Sequence, residues 1–112
     1  MRIETTQKAK RVYELLSQVP QGRVTTYGAL AKASGLGRAY RLVGAILRSN
    51  PYSPYFPCHR VVMSDGRLGG YHGSDPEKIK IKASLLALEG VEVQENKVIN
   101  FKVLFFDDFK CE

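Results

Sequence analysis

The sequence predicts a mainly α fold with a small β hairpin, an α+β domain in which a helix-turn-helix is closed by a wing. Three observations carry that expectation. Apolar residues recur at helical spacing in successive short segments of the first half. Gly35 and Gly37 separate the second of these segments from the third, as in a helix-turn-helix. Near the C-terminus, two runs rich in β-branched residues flank a short polar turn.

The elements follow in order. A first helix runs from about Gln7 to Ser17, capped by Thr5 or Thr6, with Val12, Tyr13, Leu15 and Leu16 on its apolar face. Pro20-Gln21-Gly22 turns the chain. A second helix starts near Thr25 or Thr26, points Ala29, Leu30 and Ala33 inward, and ends at Gly35 and Gly37. A third spans Arg38 to Arg48. The stretch from Asn50 to Pro57 holds Pro51, Pro54 and Pro57, each of which fixes φ and biases its predecessor towards extended geometry. It reads as a stiff, shaped loop that delivers Cys58 to a set place, with Val61, Val62 and Met63 as a short strand beyond it. Asp65-Gly66 and Gly69-Gly70 are turns. Asp75 as cap, Pro76 at the first helical position and Glu77 in the first turn open a fourth helix, expected to end at Gly90. Its Ile79-Lys80-Ile81-Lys82 stretch also alternates like a strand. Val91 to Val93 and Lys97 to Phe101, split by Gln94-Glu95-Asn96, form the hairpin. The tail through Leu104-Phe105-Phe106 and Phe109 either packs on the core or offers a partner surface.

The 112 residues fit one small domain, 1–112, too small to enclose a large cofactor. No apolar run approaches the roughly 18 residues that span a membrane. The first eight residues lack the apolar core of a signal peptide, so a cytoplasmic or nuclear location is expected. There are 17 Lys and Arg against 11 Asp and Glu, a net charge of +6, which favours a polyanionic partner such as nucleic acid. Cys58 and Cys111 are expected as reduced thiols, and no metal motif is present.

At about 100° per residue the third helix sorts into two faces. Ala39, Leu42, Val43, Ile46 and Leu47 share the core side; Arg38, Arg41, Gly44, Ala45 and Arg48 share the other. Arginines around two very small residues suit a groove, because the helix backbone can come close while the guanidiniums meet phosphates or enter the base stack.

Pro57-Cys58-His59-Arg60-Val61-Val62 is the most informative stretch. A thiol attacks only as thiolate, and a free Cys has pKa of about 8.5, so an imidazole or cation beside it helps. Neighbours in a strand face opposite ways, so contact between Cys58 and His59 requires the bent backbone that Pro57 allows.

This stretch, with Gly22-Arg23-Val24-Thr25-Thr26-Tyr27, the arginine helix through Asn50-Pro51, Gly69-Gly70-Tyr71 and Leu85-Leu86-Ala87-Leu88-Glu89-Gly90, resembles the C-terminal domain of O6-alkylguanine-DNA alkyltransferases. The resemblance implies single-use repair: Cys58 as alkyl acceptor, His59 as the base that takes the thiol proton through a water, and Glu89 as the carboxylate that orients His59. It implies Asn50 as the tie between the active-site loop and the DNA-reading helix, and Tyr27 as the hydroxyl that protonates the departing guanine. Arg41 would fill the gap left by the flipped nucleotide. The remaining expected DNA-facing residues are Arg38, Gly44, Ala45, Arg48, Thr26 and Arg60. Tyr71, Leu47, Val61, His72 and Gly69 are expected to line the base pocket. The partner would be duplex DNA containing O6-alkylguanine, bound by a monomer without metal or cofactor.

The pattern departs from that family in places. Larger members carry a further N-terminal domain, and only about twenty residues precede Gly22 here. Tyr40, Leu42 and His72 stand where relatives often have smaller residues or Ser. A second reading stays open: alkyltransferase-like proteins of similar length hold the flipped base without chemistry, usually with the reactive Cys replaced. Cys58, His59 and Glu89 favour chemistry.

Overall fold

In the computed structural model, residues 7–48, 57–70 and 75–110 are described. Helix α1 (Gln7–Leu16) buries Ala9, Val12, Tyr13, Leu15 and Leu16. It packs against α2 (Tyr27–Ala33) and α3 (Tyr40–Arg48), which contribute Leu30, Ala31, Val43, Ile46 and Leu47 to the same core. Tyr13 Oη donates to the Ile46 carbonyl at 2.9 Å, which ties α1 to α3 inside that core.

α2 begins where Thr26 caps it: the hydroxyl accepts from Ala29 N at 3.0 Å. It ends through Ser34 and Gly35, whose φ of 78° is open to glycine without penalty. α3 starts two residues later than expected. Gly37 is also left-handed, and Arg38 stays in the turn, its carbonyl accepting from Tyr40 N at 2.7 Å.

The main departure is a parallel pair that local patterning does not signal. Strand β1 (Thr25–Thr26) lies beside β2 (Val61–Val62), with Thr25 opposite Val61 and Thr26 opposite Val62. These residues are 36 positions apart in the chain, so their pairing is decided by packing rather than by local pattern.

α4 (Pro76–Leu88) is a helix despite its alternating stretch, opened by Asp75 Oδ1 accepting from Glu77 N at 3.0 Å. Its Ile79, Ala83 and Leu86 face a second core cluster with Val24, Val62, Leu68, Val91 and Val98. The hairpin is shorter than expected: β3 (Val93–Gln94) and β4 (Lys97–Val98) enclose Glu95 and Asn96, both at positive φ, as a two-residue turn of the type matched to strand twist requires. The second strand does not reach Phe101. Asn100 turns the chain left-handed at φ 61°, and α5 (Phe101–Leu104) follows.

The tail packs on the body. Val24 N donates to the Leu104 carbonyl at 3.0 Å, and Phe106 N donates to the Val24 carbonyl at 2.7 Å. Arg23 holds the Leu104 and Phe105 carbonyls at 2.9 and 2.8 Å, and Phe106 and Phe109 stack edge to face beside the first core. Among the described residues no helix is long and apolar enough to cross a membrane.

Candidate active site

Cys58, His59 and Arg60 form one turn of 3-10 helix entered from Pro57. At three residues per turn, consecutive side chains diverge by about 120°, so one short motif serves three directions. Cys58 is 5% exposed, with Sγ 3.8 Å from the Leu47 carbonyl near the end of α3. The Cys58 thiol thus sits under the helix that carries the arginines.

His59 turns towards Glu89, the residue that closes α4. Its Nε2 lies 2.8 Å from Glu89 Oε2. A carboxylate only accepts, so Nε2 carries the proton and Nδ1 keeps its lone pair. Nδ1 is buried and has no hydrogen-bond partner among the described residues. Burial lowers the His59 pKa from its ordinary value, and Arg60 and Lys82 add to that, against the raising effect of Glu89. The imidazole is therefore neutral at neutral pH and able to take a proton.

Arg60 corrects an expectation. It does not face outward towards a partner. Its Nε and Nη2 grip Glu89 at 2.9 and 2.7 Å, and Nη1 donates to the Val19 carbonyl at 2.8 Å. Burial alone would raise the Glu89 carboxyl, but the hydrogen bonds from Arg60 and His59 outweigh it and hold the pKa low. Gly22 N also approaches Glu89 Oε1, at 3.4 Å, from a backbone at φ 86°.

Thr26 and Val61 are corrected similarly. Thr26 is buried, with its hydroxyl committed to the α2 cap, so it offers little to a groove. Val61 is fully buried in β2 and belongs to the core rather than a pocket surface. Tyr27 and the Gly69–Gly70 backbone come together. Tyr27 Oη donates to the Gly70 carbonyl at 3.4 Å, and a Cβ on Gly69 would stand 3.6 Å from that hydroxyl. Burial pushes the Tyr27 phenol up to about 12, and the nearby Cys58 adds to this while Arg48 opposes it. The phenol is thus protonated and able to donate.

On α3, Arg38, Arg41 and Arg48 are exposed. A Cβ added at Gly44 would meet nothing within 4 Å among the described residues, so no packing among them explains that glycine, and Ala45 lies beside it. Asn50, Tyr71 and His72 lie outside the described residues. Among the described residues no three His, Cys, Asp or Glu side chains gather as metal ligands.

Lys82 was missed. It is fully buried among carbonyls behind the active-site turn. Its signal was present: Ile79, Lys82, Ala83 and Leu86 form an apolar helical stripe with a lysine in it. Strand-like alternation in the same residues obscured it.

A family model described as 6-O-methylguanine DNA methyltransferase, DNA binding domain, matches residues 7–91. The chain belongs to this family. Among curated family relatives, it is 39% identical over 89 residues to the methylated-DNA–protein-cysteine methyltransferase of Methanothermobacter thermautotrophicus, covering 80% of the chain and 47% of that protein. It is 45% identical over 80 residues to the DNA base-flipping protein of Thermus thermophilus, covering 71% of the chain and 50% of that protein. The chain thus spans half or less of the length of these two relatives. The structure of S. pombe Atl1, solved with DNA containing O6-carboxymethylguanine, superposes with a TM-score of 0.80 at 24% identity, covering 95% of this chain and 98% of that one. That likeness establishes the family's fold.

Proposed function

We propose that the chain repairs DNA directly, by moving an alkyl group from O6 of guanine onto Cys58, once per molecule. The observation that carries this reading is a thiol sharing one turn with an imidazole whose Nε2 is held at 2.8 Å by Glu89, with Nδ1 left as acceptor. This is the base-and-orienter arrangement of activated nucleophiles.

The target atom is inside a duplex, so the nucleotide must swing out. The arginine face of α3, with Gly44 and Ala45 at its centre, suits close approach to a groove, and Arg41 would occupy the gap in the stack. His59 takes the thiol proton at Nδ1, relayed by a water. The sulfur lone pair forms the S–C bond, the C–O6 bond breaks, and its electron pair returns to the guanine ring. Tyr27, held protonated, supplies the proton that neutralises the leaving base. The thioether product is stable, so no second turnover follows, and no cofactor takes part. The family match and the methyltransferase relatives support this reading.

A second reading has support from the base-flipping relative of T. thermophilus. In that reading the chain holds the flipped lesion for another pathway and Cys58 stays unreacted. Intact-protein mass spectrometry separates the two, after mixing with a duplex holding one O6-methylguanine. One added methyl mapped to Cys58, absent with undamaged duplex, establishes transfer. Tight binding with no mass change establishes the sensor.

A further inference from the structure

Two large apolar side chains of α3, Tyr40 and Leu42, lie outside its buried stripe of Val43, Ile46 and Leu47. Packing accounts for Leu42, which is partly buried against the first core. It does not account for Tyr40, which belongs to neither core cluster and is 51% exposed. The other exposed large apolar side chains among the described residues are Met63, Ile81, Leu88 and Val103, so Tyr40 is the one aromatic in that set. On the helix it stands about 40° from Gly44 and about 100° from Arg41, at the edge of the arginine face. Gly44 follows one turn later, about 6 Å along the axis. The space over it stays open, because a Cβ built there meets no described atom within 4 Å, the Tyr40 ring included. Helical side chains lean towards the N-terminus of their helix, which carries the ring away from Gly44. The face of α3 therefore has a recess at Gly44 and Ala45 beside a projection made of Tyr40 and Arg41. A duplex seated closely enough to touch the backbone at Gly44 meets both projecting side chains.

We propose that Tyr40 is a second wedge beside Arg41: its ring stacks on a base at the step next to the flipped nucleotide and holds the duplex open there. This deepens the reading of α3 as the DNA face and rests on it. The two side chains are consecutive but point about 100° apart, so they do not fill the same gap. Flipping leaves unstacked base faces on either side of that gap. A flat, uncharged ring matches such a face whatever the base, and side chains inserted between base steps are a recurrent means of opening a duplex from its minor groove. The phenol hydroxyl gives the ring a polar tip that suits it to water in the free protein. Carrying no charge, the ring displaces no counterions, so its contribution does not depend on salt as that of an arginine does.

The test uses a fluorescein-labelled duplex holding one tetrahydrofuran abasic site, which presents the gap with no methyl to transfer. Anisotropy at several salt concentrations compares wild type with Tyr40→Ala, Tyr40→Phe, Arg38→Ala and Arg41→Ala. Tyr40→Ala should bind about tenfold more weakly with an unchanged salt slope. Tyr40→Phe, which keeps the ring, should bind as wild type. Arg38→Ala should instead lower the slope by about one. A wild-type urea midpoint in Tyr40→Ala shows that lost affinity is not lost fold. The second measurement uses the absence of tryptophan from the chain. Tyr40→Trp carries a lone indole, and stacking on a base should quench its emission when the same duplex is added. Wild-type affinity in Tyr40→Ala, a loss that Tyr40→Phe does not restore, or unquenched emission from Tyr40→Trp each overturns the proposal. Weakened arginine variants beside an unchanged Tyr40→Ala would retire the role of Tyr40 alone. Wild-type affinity in both arginine variants would retire α3 as the DNA face, and Tyr40 with it.

Discussion

Nε2 of His59 stands 2.8 Å from Oε2 of Glu89, although 30 positions separate them in the chain. The bond fixes the tautomer of a buried imidazole, so that its acceptor atom is Nδ1. The same carboxylate neutralises Arg60, whose side chain is 16% exposed. Glu89→Ala should therefore do two things. Removing one partner of a mostly buried ion pair should cost about 3 kcal/mol of stability, measured by urea unfolding. Releasing His59 should slow methyl transfer by roughly 100-fold in protein that is still folded, measured by single-turnover mass spectrometry. Transfer at the wild-type rate would remove Glu89 from the mechanism.

The pH dependence follows from His59. Its pKa in the folded protein is lowered, chiefly by burial, below the ordinary value of 6.5. The unfolded chain therefore binds more protons than the folded one as pH falls below about 6.5, and stability declines with falling pH in that window. The proposed transfer needs the neutral imidazole, so its rate should hold down to that value and fall only at more acid pH. Rates measured between pH 5 and 8 check this, and an acid limb centred above 6.5 would mean that His59 is not the base.

Thr26 separates stability from binding. Its hydroxyl caps α2 through Ala29 N at 3.0 Å and is buried. Thr26→Ala should cost about 1 kcal/mol in urea unfolding. The affinity of the folded variant for duplex DNA should not change. A selective loss of affinity would place Thr26 at the DNA interface.

Gly44 should show opposite signs in the two assays. A Cβ there meets nothing within 4 Å among the described residues, and glycine inside a helix is unfavourable by roughly 1 kcal/mol. Gly44→Leu should leave stability unchanged or raise it, while weakening duplex binding roughly tenfold by blocking close approach of the backbone. Titrations by fluorescence anisotropy at several salt concentrations check both this and the steep salt dependence expected of phosphate contacts. Unaltered affinity in Gly44→Leu would move the DNA face away from α3.

Much of this protein was legible in one dimension. Helical spacing marked Val12, Leu15 and Leu16, and Val43, Ile46 and Leu47, because burial on a helix repeats with the helix period. Asp75-Pro76 marked the start of α4, because capping and the fixed φ of proline act within a few residues. The motif around Cys58 marked the candidate site, because its residue types stand side by side.

Other features have no local signature. The parallel pairing of Thr25–Thr26 with Val61–Val62 joins segments whose contact depends on how α1, α2 and α3 pack. Asn100 and Phe101 look like strand continuation, and only docking of Phe101 near Gly66 and Phe105 favours the left-handed turn and α5. Arg60 illustrates the difference most sharply. Its sequence neighbourhood and the basic composition point it towards DNA, yet a carboxylate 29 residues away claims its guanidinium. The sequence by itself determined which groups are present, where the helices lie and which thiol stands beside an imidazole. The tertiary structure decided which charges meet, turning Arg60 and Lys82 inward, because pairing and desolvation depend on distances that only the folded chain sets.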